Sequence, residues 1–524
     1  MSTNRNKFYI STPIYYVNDR PHIGHVYTTT VCDMVARYHR ILGDEVFFLT
    51  GTDEHAAKVA DSAAERGFSP QEWADENAAE FQRYFQLLQM TNNDFIRTTQ
   101  DRHKQRASQY VQQLVDSGDV YAGRYEGWYD AGQEEYMPEN KAKDYDYKSP
   151  INQKPLVRKA EKNYFFKLSK YSDFLLEHIE ANPRFIQPDA RRNEVVARIR
   201  EGLNDVPVSR TGTEGWGIPM PNDPEQSIYV WIEALINYLS TVDTEDRIHL
   251  WPAQVHVIGK DILWFHAVIW PTMLHAMGRA LPDQVYAHSF WMHEGMKMSK
   301  SLDNFITMEV LDRYIDEFGL DAVRYYLGTQ GPLGASDADF AHGKFVEVYN
   351  ADLANTLGNC ASRVANMTGR YFEGKLPGAT AKVDADDSND DAAEKCVARY
   401  TDAMGRLQLS EAAEAAMDLV RVVDGYIDRT EPFKLAKQEG KLPEVGTILY
   451  NCAEAIRIVS VMLWPLLPNR IEQLWDRLGC ADYTRAVADG GSGDFAQWTR
   501  WGQFKPGTPI QQGDPLFPRH DPGK

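Results

Sequence analysis

Apolar and polar positions along the chain change period several times, and each change marks an element. "KFYIST" (7–12) is a continuous apolar run of the kind a buried strand shows. After Gly24 the apolar residues Val31, Val35, Tyr38 and Leu42 recur at intervals of four, three and four, a helix stripe that Gly43 ends. A second continuous run, "EVFFLTG" (45–51), leads into a helical pattern through "EHAAKVADSAAERG" that stops at Gly67. This β-α-β-α order predicts an α/β fold with a parallel sheet, whose ligands bind beyond the carboxyl ends of the strands. Residues 12–25 and 50–55 both fall there.

The pattern resumes far downstream with a strand "VHVIG" (255–259) and a helix from about Asp261 to Met277. A strand in "QVYAHSFWM" (284–292) and a helix after "SLDNFITMEVLDRY" (301–314) follow. The intervening residues 118–225 are rich in Tyr, Lys, Gly and Pro with short strands such as "NYFFKL", which predicts a small inserted lobe. From residue 344 the texture turns to long helix stripes such as "AEAIRIVSVMLWPLL", broken by the acidic, small-residue stretch "GATAKVDADDSNDD". The expected division is therefore 1–117 and 226–343 for the two halves of the sheet domain, 118–225 for the insertion, 344–485 for an α-helical bundle, and 486–524 for a tail whose "DPLFPR" docks back.

Composition narrows the class. At 524 residues the chain exceeds what one core usually serves, and 43% hydrophobic with 25% charged residues is globular composition. A formal net charge of −19 weighs against a polyanionic partner unless basic residues cluster locally. The scattered Cys32, Cys360, Cys396, Cys452 and Cys480 form no CxxC pair, which suits a reducing compartment and lacks the usual zinc spacings. "MSTNRNKFYI" is too short for a targeting peptide and no apolar run reaches membrane-spanning length, so the expected location is the cytoplasm.

Two short stretches carry chemistry. In "PHIGH" (21–25), Pro21 suits the first helical position, Gly24 admits a ligand to the backbone, and a helix N-terminus with the imidazoles of His22 and His25 is a phosphate site. Two surface histidines capping a helix fit this stretch equally well. In "GMKMSKSLDN" (295–304), Lys297 and Lys300 sit in a polar loop after a strand, suited to a triphosphate but by themselves more often solvated charge.

Together "HIGH" and "KMSKS", each at a strand end in one half of a split sheet, resemble the signature pair of the class I aminoacyl-tRNA synthetases. "YYVNDRPHIGHVYTTT", "FLTGTDEHAAK", "FIRTTQDRH", "SIYVWIEALINYL", "HVIGKDILWFHAVIWP" and "MKMSKSLDNFI" are similar to the methionyl-tRNA synthetase family in particular. The resemblance implies a Rossmann-like catalytic domain split by a connective insertion and followed by an anticodon-binding bundle. It implies activation of methionine by ATP to methionyl-adenylate and pyrophosphate, then transfer to the 3′ end of tRNA(Met), with Mg²⁺ accompanying ATP. A cysteine-specific relative would need cysteine ligands for a pocket zinc, and a silent tRNA-binding relative would show eroded signatures.

Carried over residue by residue, His22, Gly24, His25, Lys260, Asp261, Lys297, Ser299 and Lys300 would bind ATP, with His22, His25, Lys297 and Lys300 catalytic. Asp53 would take the methionine ammonium, and Pro13, Ile14, Tyr16, Trp231, Ala234, Leu235, Tyr238, Ile262 and His266 would line the thioether pocket. Core packing for Trp231 and Tyr238, and helix-cap roles for Asp53 and Asp261, stay open at this point. Asn359, Arg363, Pro432 and Phe433 would meet the anticodon, and Arg184, Arg191, Arg192, Arg198 and Arg200 the acceptor arm. Departures from the family are Phe433 in place of an indole, Glu233 in place of an aspartate, and Asp130 and Gln133 with no cysteine near the usual zinc ligands. The last resembles the zinc-free branch, so no structural zinc is expected. With no C-terminal oligonucleotide-binding barrel, a monomer is expected.

Overall fold

A computed structural model describes residues 5–18, 20–130, 135–137, 139–211, 215–298, 304–383, 389–488 and 493–520. Six strands make the central sheet: β1 (Lys7–Tyr16), β2 (Glu45–Asp53), β3 (Asp94–Arg97), β4 (Ile186–Gln187), β5 (Val255–Gly259) and β6 (Val285–His288). They run in the order β3-β2-β1-β5-β6-β4, and every pairing is parallel. The chain starts in the middle, winds outward through β2 and β3, and returns on the other side of β1. That reversal between β1 and β5 opens a crevice at the carboxyl ends of the strands.

Alternation along the strands supplies both faces. Phe8, Ile10 and Phe48 enter one core with helix α1 (Ile23–Leu42), while Tyr9, Phe47 and Leu49 enter the other with α2 (Asp101–Asp116) and α3 (Val230–Ser240). The first core continues without a break into the C-terminal helices, among them Leu409–Thr430 and Leu442–Leu463. The latter is apolar and long enough to cross a membrane by composition alone, but it is the middle of the bundle and is 94% buried over its most apolar window. Its buried Glu454–Arg457 pair (2.8 Å) serves the tail: Glu454 accepts the N–H groups of Gln503 and Phe504, and Arg457 donates to the carbonyls of Trp498 and Arg500. Leu516 and Phe517 are buried as well.

The structure departs from the sequence pattern in three places. "QVYAHSFWM" is two strands: β6 stays in the central sheet, while Trp291–His293 (β7) joins Met296–Lys297 (β8) and Ala338–Phe340 (β9) in a separate sheet of order β8-β7-β9. The break occurs because Ser289 N–H bonds the Pro332 carbonyl (2.8 Å) and Phe290 N–H bonds the Asp337 carboxylate (2.8 Å). The helix expected over 261–277 is a 3₁₀ turn (Lys260–Ile262), a π-helical stretch (Phe265–Ile269) and an α-helix (Trp270–Ala276). Pro271 has no N–H to give the Ala267 carbonyl, which favours the wider turn just before it. Within the insertion, Val120–Asp130 and Val157–Phe166 form an antiparallel ladder, yet Ile186–Gln187 return to the edge of the central sheet.

Candidate active site

A cavity of about 850 Å³ opens at the crevice between β1 and β5. Its floor is the strand ends: Pro13, Ile14 and Tyr16 of β1, Asp53 of β2, Gly259 of β5 and His288 of β6. His22, Gly24 and His25 bound it at the start of α1, and Trp231, Ala234, Leu235 and Tyr238 of α3 form a wall that Ile262 and His266 extend. The register between β1 and β2 shifts between Ser11 and Ile14, where Pro13 has no N–H for the ladder. Such a bulge re-aims the side chains beyond it.

The start of α1 is built differently from the proline-first helix expected. Pro21 stands outside, and His22 is the N-cap of a helix beginning at Ile23. The His22 ring accepts the Gly24 N–H at Nδ1 (3.1 Å), and His25 Nδ1 accepts the His22 N–H (3.2 Å), a reciprocal capping box made of two imidazoles. Because both Nδ1 atoms are acceptors, the proton of each neutral ring sits on Nε2. Burial, with His22 beside it, holds the His25 imidazole well below its ordinary proton affinity, so it is neutral at pH 7. A Cβ at Gly24 would come 2.9 Å from His22 Cε1, so glycine here makes room for the capping ring. Both rings close the helix through Nδ1, and their N–H groups are therefore on the Nε2 side.

At the other end of the cavity Asp53 closes β2 and is 3% exposed. The helix-cap alternative is excluded, because the next helix (Ala57–Arg66) is capped at Ala56 with no side-chain bond. Trp231 stacks on Phe265 (centroids 4.1 Å apart, 13° between planes) and meets Tyr16 edge-on (5.8 Å), so it is wall and not plain core. His266 Nδ1 lies 2.9 Å from the Ile262 carbonyl and must donate there, which leaves Nε2 to accept the Tyr238 hydroxyl (2.7 Å). Burial pushes the His266 proton affinity down to about 4. The wall thus presents aromatic faces and an uncharged imidazole, the surroundings a thioether favours.

Several expected residues are placed elsewhere. Lys260 pairs with Asp337 (2.6 Å) above the Phe290 ring and is not among the cavity-lining residues, whereas the next residue, Asp261, is; its carboxylate also accepts the N–H groups of Asp261 and Ile262. Gly259, not Asp261, is the cap of this turn, Asp261 lies within its first turn, and burial raises the Asp261 proton affinity. Lys297 belongs to the short strand β8, exposed and off the cavity wall, because the chain folds into a hairpin through Glu294 and Gly295. Ser299 and Lys300 lie outside the described residues. In the bundle, Arg363 is engaged by Asp424 and Asp428 (3.0 Å each), so it and the exposed Asn359 are not two open readers of base edges. Pro432 is buried and Phe433 is 39% exposed. Arg184 donates to the Gly405 carbonyl, Arg191 to Ser289 and Ala335, and Arg198 covers Trp264 at 3.9 Å, so these three arginines are tied into the fold. Asp130 is buried at the end of its strand, and Gln133 lies outside the described residues.

His288 escaped the sequence reading. Its Nδ1 donates to the Ser289 carbonyl (2.7 Å), its Nε2 accepts the Thr28 hydroxyl (2.7 Å), and burial pushes it down to about 4. A polar residue at the carboxyl end of an apolar strand was the available signal. Arg20, just before "PHIGH", and Lys58, at the end of "FLTGTDEHAAK", also line the cavity.

Known proteins agree with this geometry. The profile of the family described as "tRNA synthetases class I (M)" matches residues 8–145 and 143–365. The methionine–tRNA ligase of Streptomyces coelicolor is 44% identical over 98% of this chain and 96% of its own length, and that of Bacillus subtilis is 41% identical over 99% and 79%. The structure of Mycobacterium tuberculosis methionyl-tRNA synthetase with methionyl-adenylate superposes with a TM-score of 0.89 at 34% identity, covering 98% of this chain and all of that one. Its ligand-free form gives 0.84 at 32% identity. Cavity, sheet topology and near full-length similarity converge: the chain belongs to the class I tRNA synthetases, in the methionine–tRNA ligase family.

Proposed function

We propose that this cavity is where the enzyme joins methionine to ATP, releasing pyrophosphate, before methionine passes to the 3′ end of tRNA(Met). The observation that carries the assignment of parts is the convergence of Asp53 and an apolar aromatic wall with the N–H edge of the α1 capping box in one cavity. Asp53 takes the substrate ammonium; Pro13, Ile14, Tyr16, Trp231, Ala234, Leu235, Tyr238, Ile262 and His266 surround the thioether. The Nε2–H groups of His22 and His25, added to the positive end of α1, face the ATP phosphates and stabilise the charge that builds as the methionine carboxylate attacks the α-phosphorus. The carboxylate oxygen forms the new P–O bond and pyrophosphate leaves with the electron pair, so no covalent enzyme intermediate is needed and positioning supplies most of the rate.

Lys297 and Lys300 reach the leaving pyrophosphate in this reading, and Lys297 does so by moving its hairpin toward the cavity. Lys260 contributes once it exchanges Asp337 for a phosphate. Among the described residues no three His, Cys, Asp or Glu groups gather to hold a metal. Mg²⁺ would enter with ATP and offset charge on its phosphates. The exposed Phe433 stacks on an anticodon base, and the exposed Asn359 meets a base edge. A cytoplasmic location fits the scattered cysteines, which form no disulfide among the described residues, and the burial of the most apolar helix.

The test is amino-acid-dependent exchange of labelled pyrophosphate into ATP. Exchange with methionine alone is expected; exchange driven by another amino acid, or none from folded protein, would overturn the reading.

A further inference from the structure

The residues after Asp53 leave the cavity toward two different elements. Glu54 is fully buried and turns toward β3: its Oε1 accepts Thr52 Oγ1 (2.7 Å) and Arg97 Nε (2.7 Å), and its Oε2 accepts Arg97 Nη2 (3.0 Å) and Thr99 Oγ1 (2.5 Å). His55 turns toward α3, where its Nδ1 donates to Glu233 Oε1 (2.8 Å). Glu233 is fully buried, and its second oxygen lies 3.3 Å from His103 Nε2 of α2, whose Nδ1 meets Ser240 Oγ at 3.0 Å. Asp53 and Ala56 line the cavity; Glu54, His55, Glu233 and His103 are not among the lining residues.

A buried carboxylate is costly unless its oxygens are satisfied, and removing one partner of such a pair costs more than the pair contributes. Two such carboxylates bracket one short segment. Glu54 fastens it to the sheet, and Glu233 fastens it to the helix whose neighbouring residues Trp231, Ala234 and Leu235 form the apolar wall. We infer that His55 and Glu233 are positioning residues for amino-acid recognition: their bond ties the segment carrying Asp53 to α3 and so sets the span between ammonium site and thioether wall. Burial disfavours a charge on His55, but the facing Glu233 carboxylate raises its proton affinity overall, which strengthens the tie.

The inference rests on Asp53 as the ammonium partner, and the experiment separates the two. In methionine-dependent pyrophosphate exchange with the full chain, Glu233→Gln and His55→Ala are each expected to raise KM for methionine about tenfold with KM for ATP changed less than about twofold. His55→Gln, whose amide can still donate to Glu233, restores most of the loss; it also keeps the test alive should Glu233→Gln fail to fold. Asp53→Asn raises the methionine KM further still. An unchanged methionine KM in Asp53→Asn overturns the assignment of Asp53 and the inference with it. If Asp53→Asn behaves as expected while His55→Ala shifts both KM values alike, or neither, only the positioning role is overturned.

Discussion

At His25 one imidazole closes a helix with one nitrogen and offers a proton to a ligand with the other, so a substitution there acts on two observables at once. His25→Ala removes the acceptor of the His22 N–H, expected to cost about 1 kcal/mol of stability as cap losses do. It also removes a donor from the proposed transition-state site, expected to slow pyrophosphate exchange on the order of 100-fold. Denaturant titration beside exchange kinetics checks both, and a rate loss no larger than the loss of folded protein would leave only the cap. The neutral imidazoles make a second prediction. His266 and His288 are held at about 4 against an ordinary value of 6.5, so it is the unfolded chain that takes up protons first on acidification. Their contribution is complete above about pH 6.5 and is lost progressively down to about pH 4, on the order of 3 kcal/mol each. The urea midpoint should fall steadily from pH 7 to pH 5; a flat midpoint would contradict the buried neutral state. From sequence, the two histidines of "HIGH" were visible but their division of labour was not, because tautomer and cap depend on where neighbouring N–H groups point.

Among the elements, β2 shows how tightly the floor of the site is built. A Cβ on Gly51 would stand 2.0 Å from the Ile96 carbonyl oxygen and 2.6 Å from Ile96 Cγ2, contacts only a side-chain-free residue avoids. Gly51→Ala should therefore force β2 and β3 apart and cost at least about 2 kcal/mol, read from the denaturation midpoint; a loss below the error of that measurement would show that the sheet yields there. The strands and helices around the cavity were legible because continuous apolar runs and four-three spacings are local signals. The split of "QVYAHSFWM" was not, since both halves are equally apolar and their separation depends on Pro332 and Asp337, more than forty residues away. The π-helical stretch at His266 escaped for a similar reason: apolar periodicity does not distinguish a widened turn, although Pro271 marked where one would fall.

Across the whole molecule, the sheet and the bundle are fastened through α1. Asp33, in the middle of that helix, accepts Arg37 (2.8 Å) and Arg324 (2.7 Å), and Arg324 also reaches the Pro465 carbonyl (3.1 Å) at the end of a bundle helix. Burial opposes the charge, yet the two guanidinium groups hold the Asp33 carboxyl well below the usual carboxylate range. Despite this connection, the proposed anticodon surface and the adenylate cavity are separable by assay. Phe433→Ala should lower kcat/KM for tRNA about tenfold, within the 1–3 kcal/mol typical of base stacking, and leave methionine-dependent exchange unchanged. An equal effect on both reactions would place Phe433 in the fold and not at the tRNA.

By itself the sequence determined the parallel α/β sheet, its interruption, the helical bundle and the placing of polar candidate residues at the ends of β1 and β2, because apolar period, strand-end polarity and short signature segments are written locally. The tertiary structure alone decided that both capping histidines accept at Nδ1, that Lys260 rests on Asp337, that Lys297 stands off the wall, and that Glu233 holds the segment bearing Asp53. Each of these turns on which distant donor or carboxylate satisfies a polar group once water is removed, and that is settled only when the elements pack.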